Sequence, residues 1–287
     1  MQAEREDVLE LIRERIPELS QKKRAVAKYL VDHPVDAAFL TASELAQRVN
    51  VSEPTVVRLA VSLGFEGYPE LRERLHHLVQ GRLTTVERLK EYHRHLETSE
   101  EPVAQALLMD LRNLEDMIRH VNMDAVNGLV EALLGAEKVL LVGFRMSAVL
   151  AEFMRMSLRK SLNAEIVAVA SSSDLFHEEL VQSPAATLVV GIGFPRYTRR
   201  TVDYLRLAHA HGFATAAITD SDLSPVAEHA DHVVLARYGI LSYVDSFTAP
   251  LSMISAVATA VSLRRESVNL DRLQALEEMW QANRVFY

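Results

Sequence analysis

The chain has 287 residues, 49% of them hydrophobic and 24% charged, which is enough for two globular domains, each with its own core. It contains no cysteine, so disulfides and thiolate metal sites are excluded and a reducing cytosol is the simplest setting. The net charge of -8 excludes a uniformly basic nucleic-acid binder. The longest apolar runs are of strand length or broken by charge, and four of the first ten residues are acidic, so neither a membrane span nor a signal peptide is expected.

Residues 4–16 place Val8, Leu11, Ile12 and Ile16 on one face of an amphipathic helix that Pro17 ends. Ser20 can cap the next helix, which turns Val26, Tyr29 and Leu30 inward and stops at His33-Pro34. The stretch from Thr41 to Phe65 then reads as a helix-turn-helix. Thr41 and Glu44 have capping-box spacing, and Leu45, Ala46 and Val49 follow on one apolar face. Asn50 tolerates the left-handed backbone of a tight turn. Ser52 can cap a second helix with Pro54 in its first turn, and Gly64 can end it. The small Ala46 lets the two helices cross closely.

With Val51, Val56 and Leu59 turned inward, the positions left outward are Ser52, Glu53, Pro54, Thr55, Val57 and Arg58. A recognition helix enters the major groove by its N-terminal residues, so these are the expected contacts with double-stranded DNA. Ser52 and Thr55 can bond phosphates or base edges, Arg58 can reach a phosphate or guanine, and Val57 can touch a thymine methyl. An ordinary αα-hairpin is the alternative on spacing alone. The first 80 residues carry 11 Lys+Arg against 13 Asp+Glu, so any basic face is local. It would come from Lys22, Lys23, Arg24 and Lys28 on one helix, with Arg48 and Arg58 flanking the turn.

The run from Ser43 to Arg72 resembles the N-terminal domain of RpiR-type bacterial transcriptional regulators. Their motif has a Ser-x-x-Thr-Val-x-Arg helix, then Leu-Gly-Phe-x-Gly-Tyr/Phe and a Leu-bearing segment. Ser52, Thr55, Val56, Arg58, Leu63, Gly64, Phe65, Gly67, Tyr68 and Leu71 match it.

Pro69 opens a further helix through about Val79, and Gly81 marks an expected hinge. Residues 83–121 are helical in pattern, with a polar break at 98–102. The charged segment 85–97, with Val86, Leu89 and Leu96 as a sparse apolar stripe, reads as an interdomain connection. His93 and His95, like His209 and His211, are two apart and do not share a helix face, so solvated surface is expected there and no metal site.

After Val139 short apolar runs alternate with helical segments: 139–143, 165–170, 187–193, 215–219 and 232–236. That is the signature of a doubly wound five-stranded parallel α/β domain. The intervening helices are expected at about 146–161, 174–181, 198–211, 225–230 and 246–265. A last amphipathic segment, 270–284, carries Leu273, Leu276, Met279 and Trp280 and is expected to pack across the domain or on a second subunit. The fold class is therefore two-domain: an all-α helix-turn-helix domain at 1–80, a helical linker at 81–119 and the α/β domain at 120–287.

Ligands of such sheets lie beyond the carboxyl ends of the strands. Three polar loops emerge there. Gly143 allows close approach and Ser147 can donate to an anion at a helix start; Ser171, Ser172 and Ser173 gather hydroxyls at another; Arg196, Tyr197 and Thr198 follow the third strand. Over about 120–265 the domain resembles a SIS (sugar isomerase) phosphosugar-binding domain, through Gly143-x-x-x-Ser147, Leu223-Ser224-Pro225 and Ala230-Asp231. That resemblance implies a sugar phosphate as effector. One loop departs from it: where the family has Ser-x-Ser-Gly-x-Thr, only Thr198 remains in Gly193-Phe194-Pro195-Arg196-Tyr197-Thr198. Arg196, with Arg199 and Arg200 near it, offers a guanidinium fork for phosphate or carboxylate instead.

The leading reading is thus a sequence-specific transcriptional regulator controlled by a small anionic effector, without cofactor, working as a homodimer or homotetramer. The alternative is an aldose–ketose phosphosugar isomerase with an accessory DNA-binding domain. Its proton shuttle would have to come from His177, Glu178, Glu179 or Asp245. A third reading keeps the domain only for dimerisation.

Overall fold

A computed structural model describes residues 8–82, 84–89, 101–170, 173–240 and 244–286. The chain divides into two compact units, Met1–Glu87 and Arg88–Tyr287.

The first unit is helical. Helices α1 (Val8–Arg15) and α2 (Gln21–Asp32) are joined by a 3-10 turn, Ile16–Glu18, whose Pro17 blocks continuation of α1. Arg24 reaches back from α2 to the carbonyls of Ile16, Pro17 and Leu19 at 3.0–3.2 Å, so this cation closes a turn. His33-Pro34 does end α2, but it also opens a short helix, α3 (Pro34–Phe39), beyond what the sequence pattern predicts. Proline costs nothing in a first helical turn, so the residue that stops one helix can start the next.

Helix α4 (Ala42–Val49) begins in a complete capping box between Thr41 and Glu44 and ends at Asn50, which is left-handed at φ 55° and ψ 50°. The Val51 amide returns to the Ala46 carbonyl at 2.9 Å, closing the turn into α5 (Glu53–Ser62). Gly64, at φ 98°, takes the conformation that ends α5 without a Cβ penalty. Helix α6 (Tyr68–Arg82) runs through Gly81. The hinge expected there is helical, because one glycine weakens a helix by only about 1 kcal/mol. Leu9, Ile12, Leu30, Leu45, Leu59, Leu71 and Leu75 form a single buried core.

In the second unit, α7 (Pro102–His120) and α8 (Met123–Gly135) lead into the sheet. The Asn122 side chain accepts the amides of Asp124 and Ala125 and so starts α8. The strands are β1 (Lys138–Val142), β2 (Glu165–Val169), β3 (Thr187–Ile192), β4 (Ala214–Thr219) and β5 (His232–Leu235). All pairs are parallel, in the order β2-β1-β3-β4-β5. Val139 and Leu141 face one core while Leu140 and Val142 face the other, so β1 is buried on both sides. Crossover helices α9 (Ser147–Leu158), α10 (Ser173–Val181) and α11 (Arg199–Ala210) cover the faces.

Two sequence expectations are corrected here. Residues 225–230 hold only a 3-10 turn, Ala227–His229. After β5, the last strand of the sheet, comes an antiparallel pair, β6 (Gly239–Ile240) with β7 (Asp245–Ser246), so α12 starts later than expected, at Thr248, and runs to Arg264. In helix α13 (Glu266–Ala282) the apolar Leu270, Leu273 and Met279 are exposed, which leaves the second-subunit alternative for this segment open. It is held by polar contacts, with Arg272 donating to the Leu162 carbonyl at 3.0 Å and the Lys160 ammonium 5.5 Å from the Trp280 ring. His93 and His95 lie outside the described residues, as does most of the charged segment 85–97.

Tyr68 gives a direct stability test of the helical unit. Its hydroxyl reaches the carbonyls of Ala37 and Leu40, at 3.3 and 3.1 Å, where α3 ends. Burial pushes its pKa up to about 12, with smaller contributions from Glu44 and Tyr29 opposed by Arg72. Between its ordinary value of 10.0 and about 12 the unfolded chain has lost this proton and the folded chain keeps it. Stability carried by Tyr68 is therefore present below that window and declines as pH rises through it, by about 2–3 kcal/mol in full. Tyr68→Phe should lower stability by about 1 kcal/mol at neutral pH and remove this part of the alkaline decline. Urea unfolding at about pH 9 and pH 11.5 tests both; an equal alkaline loss in wild type and variant would refute it.

Candidate functional site

In the helical unit, packing separates the second helix of the pair into two sides. Val56, Leu59 and Ala60 are buried, while Ser52, Glu53, Pro54, Val57 and Arg58 are exposed. Thr55 departs from the sequence expectation: it is only 6% exposed. Its hydroxyl lies 2.9 Å from the Ser52 hydroxyl, and neither caps the helix backbone by side chain. Position 55 lies one residue before the buried Val56 and four before Leu59, at the edge of the inward face, and a short hydroxyl side chain can be buried there once it has a partner. Val61 joins the exposed side one turn beyond Val57; it escapes sequence reading because valine at a helical spacing reads as core. Arg48, on the first helix, is exposed and donates to the Tyr29 hydroxyl at 3.3 Å, and Arg58 is the exposed guanidinium of the second helix.

In the α/β unit the strand order reverses between β1 and β3, and the crevice belongs at their carboxyl ends. Val142 pairs with Gly191, so the loops after these two strands emerge side by side. The first is floored by main chain. A Cβ on Gly143 would stand 2.6 Å from the Ser147 carbonyl oxygen, so only glycine lets the loop fold onto the start of α9. Ser147 is buried at that helix start. Between them Arg145 is exposed and left-handed, at φ 59°, a conformation rare outside glycine. Its role cannot be read from a sequence in which Gly143 and Ser147 carry the pattern.

The second loop brings Arg196, Tyr197 and Thr198 to the same end. Arg196 is exposed and Thr198 caps α11, accepting the Thr201 amide at 3.4 Å. Tyr197 donates its hydroxyl to Asp220 at 2.8 Å, so it ties the loop to the end of β4 and does not present a free donor. Burial, and then Asp220, push its phenol pKa far up. The Arg200 guanidinium lies 5.8 Å from the Phe144 ring, bringing a cation of α11 over the first loop. Of the third expected group, Ser171 and Ser172 lie outside the described residues, and Ser173 opens α10.

The residues considered for proton transfer are placed differently. Glu179 lies at the far end of α10 and pairs with Lys138 at the amino end of β1, away from the crevice. Asp245 pairs with Arg88 at 3.1 Å and receives the Tyr238 hydroxyl. His177 stands edge-on to Tyr204 at 5.4 Å, and Glu178 is exposed. Among the described residues no group of His, Asp and Glu could hold a metal ion.

Residues 6–81 match the helix-turn-helix domain of the rpiR family, and residues 132–260 match the SIS domain. The chain belongs to the RpiR family. It is similar to the HTH-type transcriptional regulator HexR of Pseudomonas aeruginosa, at 27% identity over 90% of each chain. Among solved structures, the sugar isomerase domain of an RpiR transcription factor from Sphaerobacter thermophilus superposes with a TM-score of 0.59 at 26% identity, covering 61% of this chain and 97% of that one. The Vibrio vulnificus NanR protein, complexed with ManNAc-6P, shares the fold over 96% of this chain and 98% of its own, with a TM-score of 0.58 at 18% identity.

Much of the RpiR-type signature in this chain is architectural. Gly64 turns the backbone, Leu63 and Leu71 are core, and Tyr68 pins α3. The SIS-type residues behave alike. The Ser224 hydroxyl accepts the Ala227 amide at 3.1 Å, and Asp231 accepts the Thr215 amide and hydroxyl at 2.8 and 2.9 Å. These motifs identify the fold, whereas none of Arg145, Arg196 and Arg200 at the crevice is a residue that the motifs specify.

Gly143→Ala should destabilise the α/β unit by about 1–3 kcal/mol, because its Cβ meets main chain that cannot rotate away. Gly135→Ala is the control, since nothing lies within 4 Å of its would-be Cβ. Thermal unfolding of the full chain compares them, and indistinguishable variants would show that the loop is not packed as described.

Proposed function

We propose that this chain is a DNA-binding transcriptional regulator that reads duplex DNA with the start of α5 and responds to a small anion held at the carboxyl ends of β1 and β3. The observation that carries the DNA half is the exposed side of α5, where Ser52, Glu53, Pro54, Val57 and Arg58 stand clear of a core built on Val56, Leu59 and Ala60. The positive end of the helix dipole favours phosphate, and Arg58 lies one turn in, where it can reach a base edge or the backbone. Thr55 supports this face from behind by holding Ser52. In this reading residues 1–80 bind DNA, 81–119 connect, and 120–287 bind the effector and assemble the oligomer.

The effector half rests on Ser147, Arg196 and Thr198, with Arg145 and Arg200 as added cations. A phosphate group suits a helix start flanked by guanidinium groups. NanR holds ManNAc-6P, which makes a sugar phosphate the leading candidate. No catalytic role is assigned, since Glu179 is engaged with Lys138 and Asp245 with Arg88. No described helix is long and apolar enough to cross a membrane, and we place the protein in the cytoplasm with its DNA.

A helix-turn-helix reads few base pairs, so two copies reading paired half-sites are proposed. Support comes from α7, where Val103, Leu107, Leu111 and Ile118 recur at helical spacing and are exposed. A homodimer or homotetramer would cover them.

Arg58→Ala should weaken binding to a duplex from the gene's own upstream region about tenfold or more, from lost contacts of about 1–3 kcal/mol. Equal gel-shift affinities for the two proteins at matched salt would refute the assignment. Ser147→Ala and Arg196→Ala should leave DNA binding intact while reducing the thermal stabilisation given by sugar phosphates, because a ligand of the folded state raises stability by mass action. Unchanged stabilisation in both variants would place the anion elsewhere.

A further inference from the structure

Around the strand pair β6–β7, one cluster within the second unit meets both the crevice loop and Arg88. Tyr238, just before β6, is buried between Phe194 and Phe247, with ring centroids 5.6 and 5.8 Å away. Its hydroxyl lies 2.8 Å from the Pro195 carbonyl, inside the 193–198 loop, and also meets the Asp245 carboxylate. A phenol has one proton, and both of these partners are acceptors, so only one can be satisfied at a time.

The third member is Arg88, the first residue of the second unit. It sits on a helical turn at 85–89 that starts in a capping box between Thr84 and Glu87. Its guanidinium is buried, with the side chain 6% exposed, and binds Asp245 at 3.1 Å across 157 residues of sequence. A buried ion pair gains little stability over an apolar pair of the same size, so stability alone does not account for it. The same strand pair is locked to α7. Asp110 accepts the hydroxyls of Thr248 and Ser246, Asp116 pairs with Arg237, and a Cβ on Gly239 would stand 2.5 Å from both Asn113 and Met109.

We propose that the Tyr238 hydroxyl is a switch between the Pro195 carbonyl and Asp245, through which the 193–198 loop is coupled to Arg88 and so to the chain entering the DNA-binding unit. While Arg88 neutralises Asp245, the phenol proton is available to Pro195 and the loop is held. When Arg88 moves off, the bare carboxylate accepts the phenol's hydrogen bond and the loop loses its anchor. Linkage makes the coupling reciprocal: an anion that orders the loop favours Arg88 on Asp245, and a DNA-bound state that shifts Arg88 alters the loop. Burial and Asp245 both push the phenol pKa upward while Arg88 opposes them, consistent with competition at one hydroxyl. The meaning of the switch for regulation rests on the effector reading above; the coupling of Arg88 to the loop does not.

Hydrogen–deuterium exchange of the full chain tests it, read on peptides spanning 193–198. Tyr238→Phe should raise exchange there at least about fivefold, as expected when a loop loses a tertiary anchor. Arg88→Met should do so as well, although it alters a residue far from the loop in the chain. Adding Asp245→Asn to Arg88→Met should return exchange to near wild type, because the competing carboxylate is gone. Arg264→Ala, which breaks the exposed pair with Glu131, should change nothing. A merely structural Arg88 predicts that the charge stranded on Asp245 loosens peptides throughout the α/β unit and not 193–198 alone, and that pattern, a double variant that stays fast at 193–198, or an unaltered loop in Arg88→Met, overturns the proposal. If Arg88→Met does not fold, Arg88→Lys with and without Asp245→Asn is read in the same way. Loop coupling without stabilisation of wild type by sugar phosphates would leave the switch standing and remove only the effector reading.

Discussion

Much of the α/β unit follows from burying β1 on both faces. A central strand made of Val139, Leu140, Leu141 and Val142 can be satisfied only by a parallel neighbour on each side and helices above and below. Parallel neighbours require crossovers, and crossovers put every strand-to-helix loop at one end of the sheet. Because β1 is flanked by β2 on one side and β3 on the other, the loops diverge and leave a crevice there. Backbone pairing and apolar burial therefore build the site before any polar side chain takes part.

The helical unit solves a smaller version of the same problem. Two short helices must cross closely and leave one face of the second uncovered. Asn50 supplies the left-handed corner, Ala46 the room, and Tyr68 a strut from α6 to the end of α3. None of these belongs to the exposed face of α5, so that face can vary without loss of the scaffold.

Local chemistry is legible in the sequence wherever it is decided within a few residues. The Thr41–Glu44 box, the Asn50 corner, the Gly64 stop and all five strands follow from spacing and composition, and each is present. What escapes depends on partners far away in the chain. Thr55 looks like a DNA contact because its burial depends on the tertiary packing of the inward face. Tyr197 looks like a ligand donor because Asp220, 23 residues on, cannot be seen as its acceptor. The pairing of 239–240 with 245–246 is too short for periodicity, and Arg88 lies in a segment that reads as plain charged connection. In the crevice, the resembling family directs attention to serines, while the left-handed turn at Arg145 leaves no trace in composition.

The Gly143 floor divides the crevice into two materials. Its base is main chain packed against main chain, which no substitution can reshape without disturbing the strand beneath. Its rim is Arg145, Arg196 and Arg200, exposed side chains on loops and a helix start whose exchange disturbs no core. On the effector reading proposed above, selection can therefore retune what the rim accepts one residue at a time while the base is inherited unchanged. Related chains should differ most in ligand preference where they differ least in backbone, and a designer seeking a new response would redraw the arginines and leave the glycine alone.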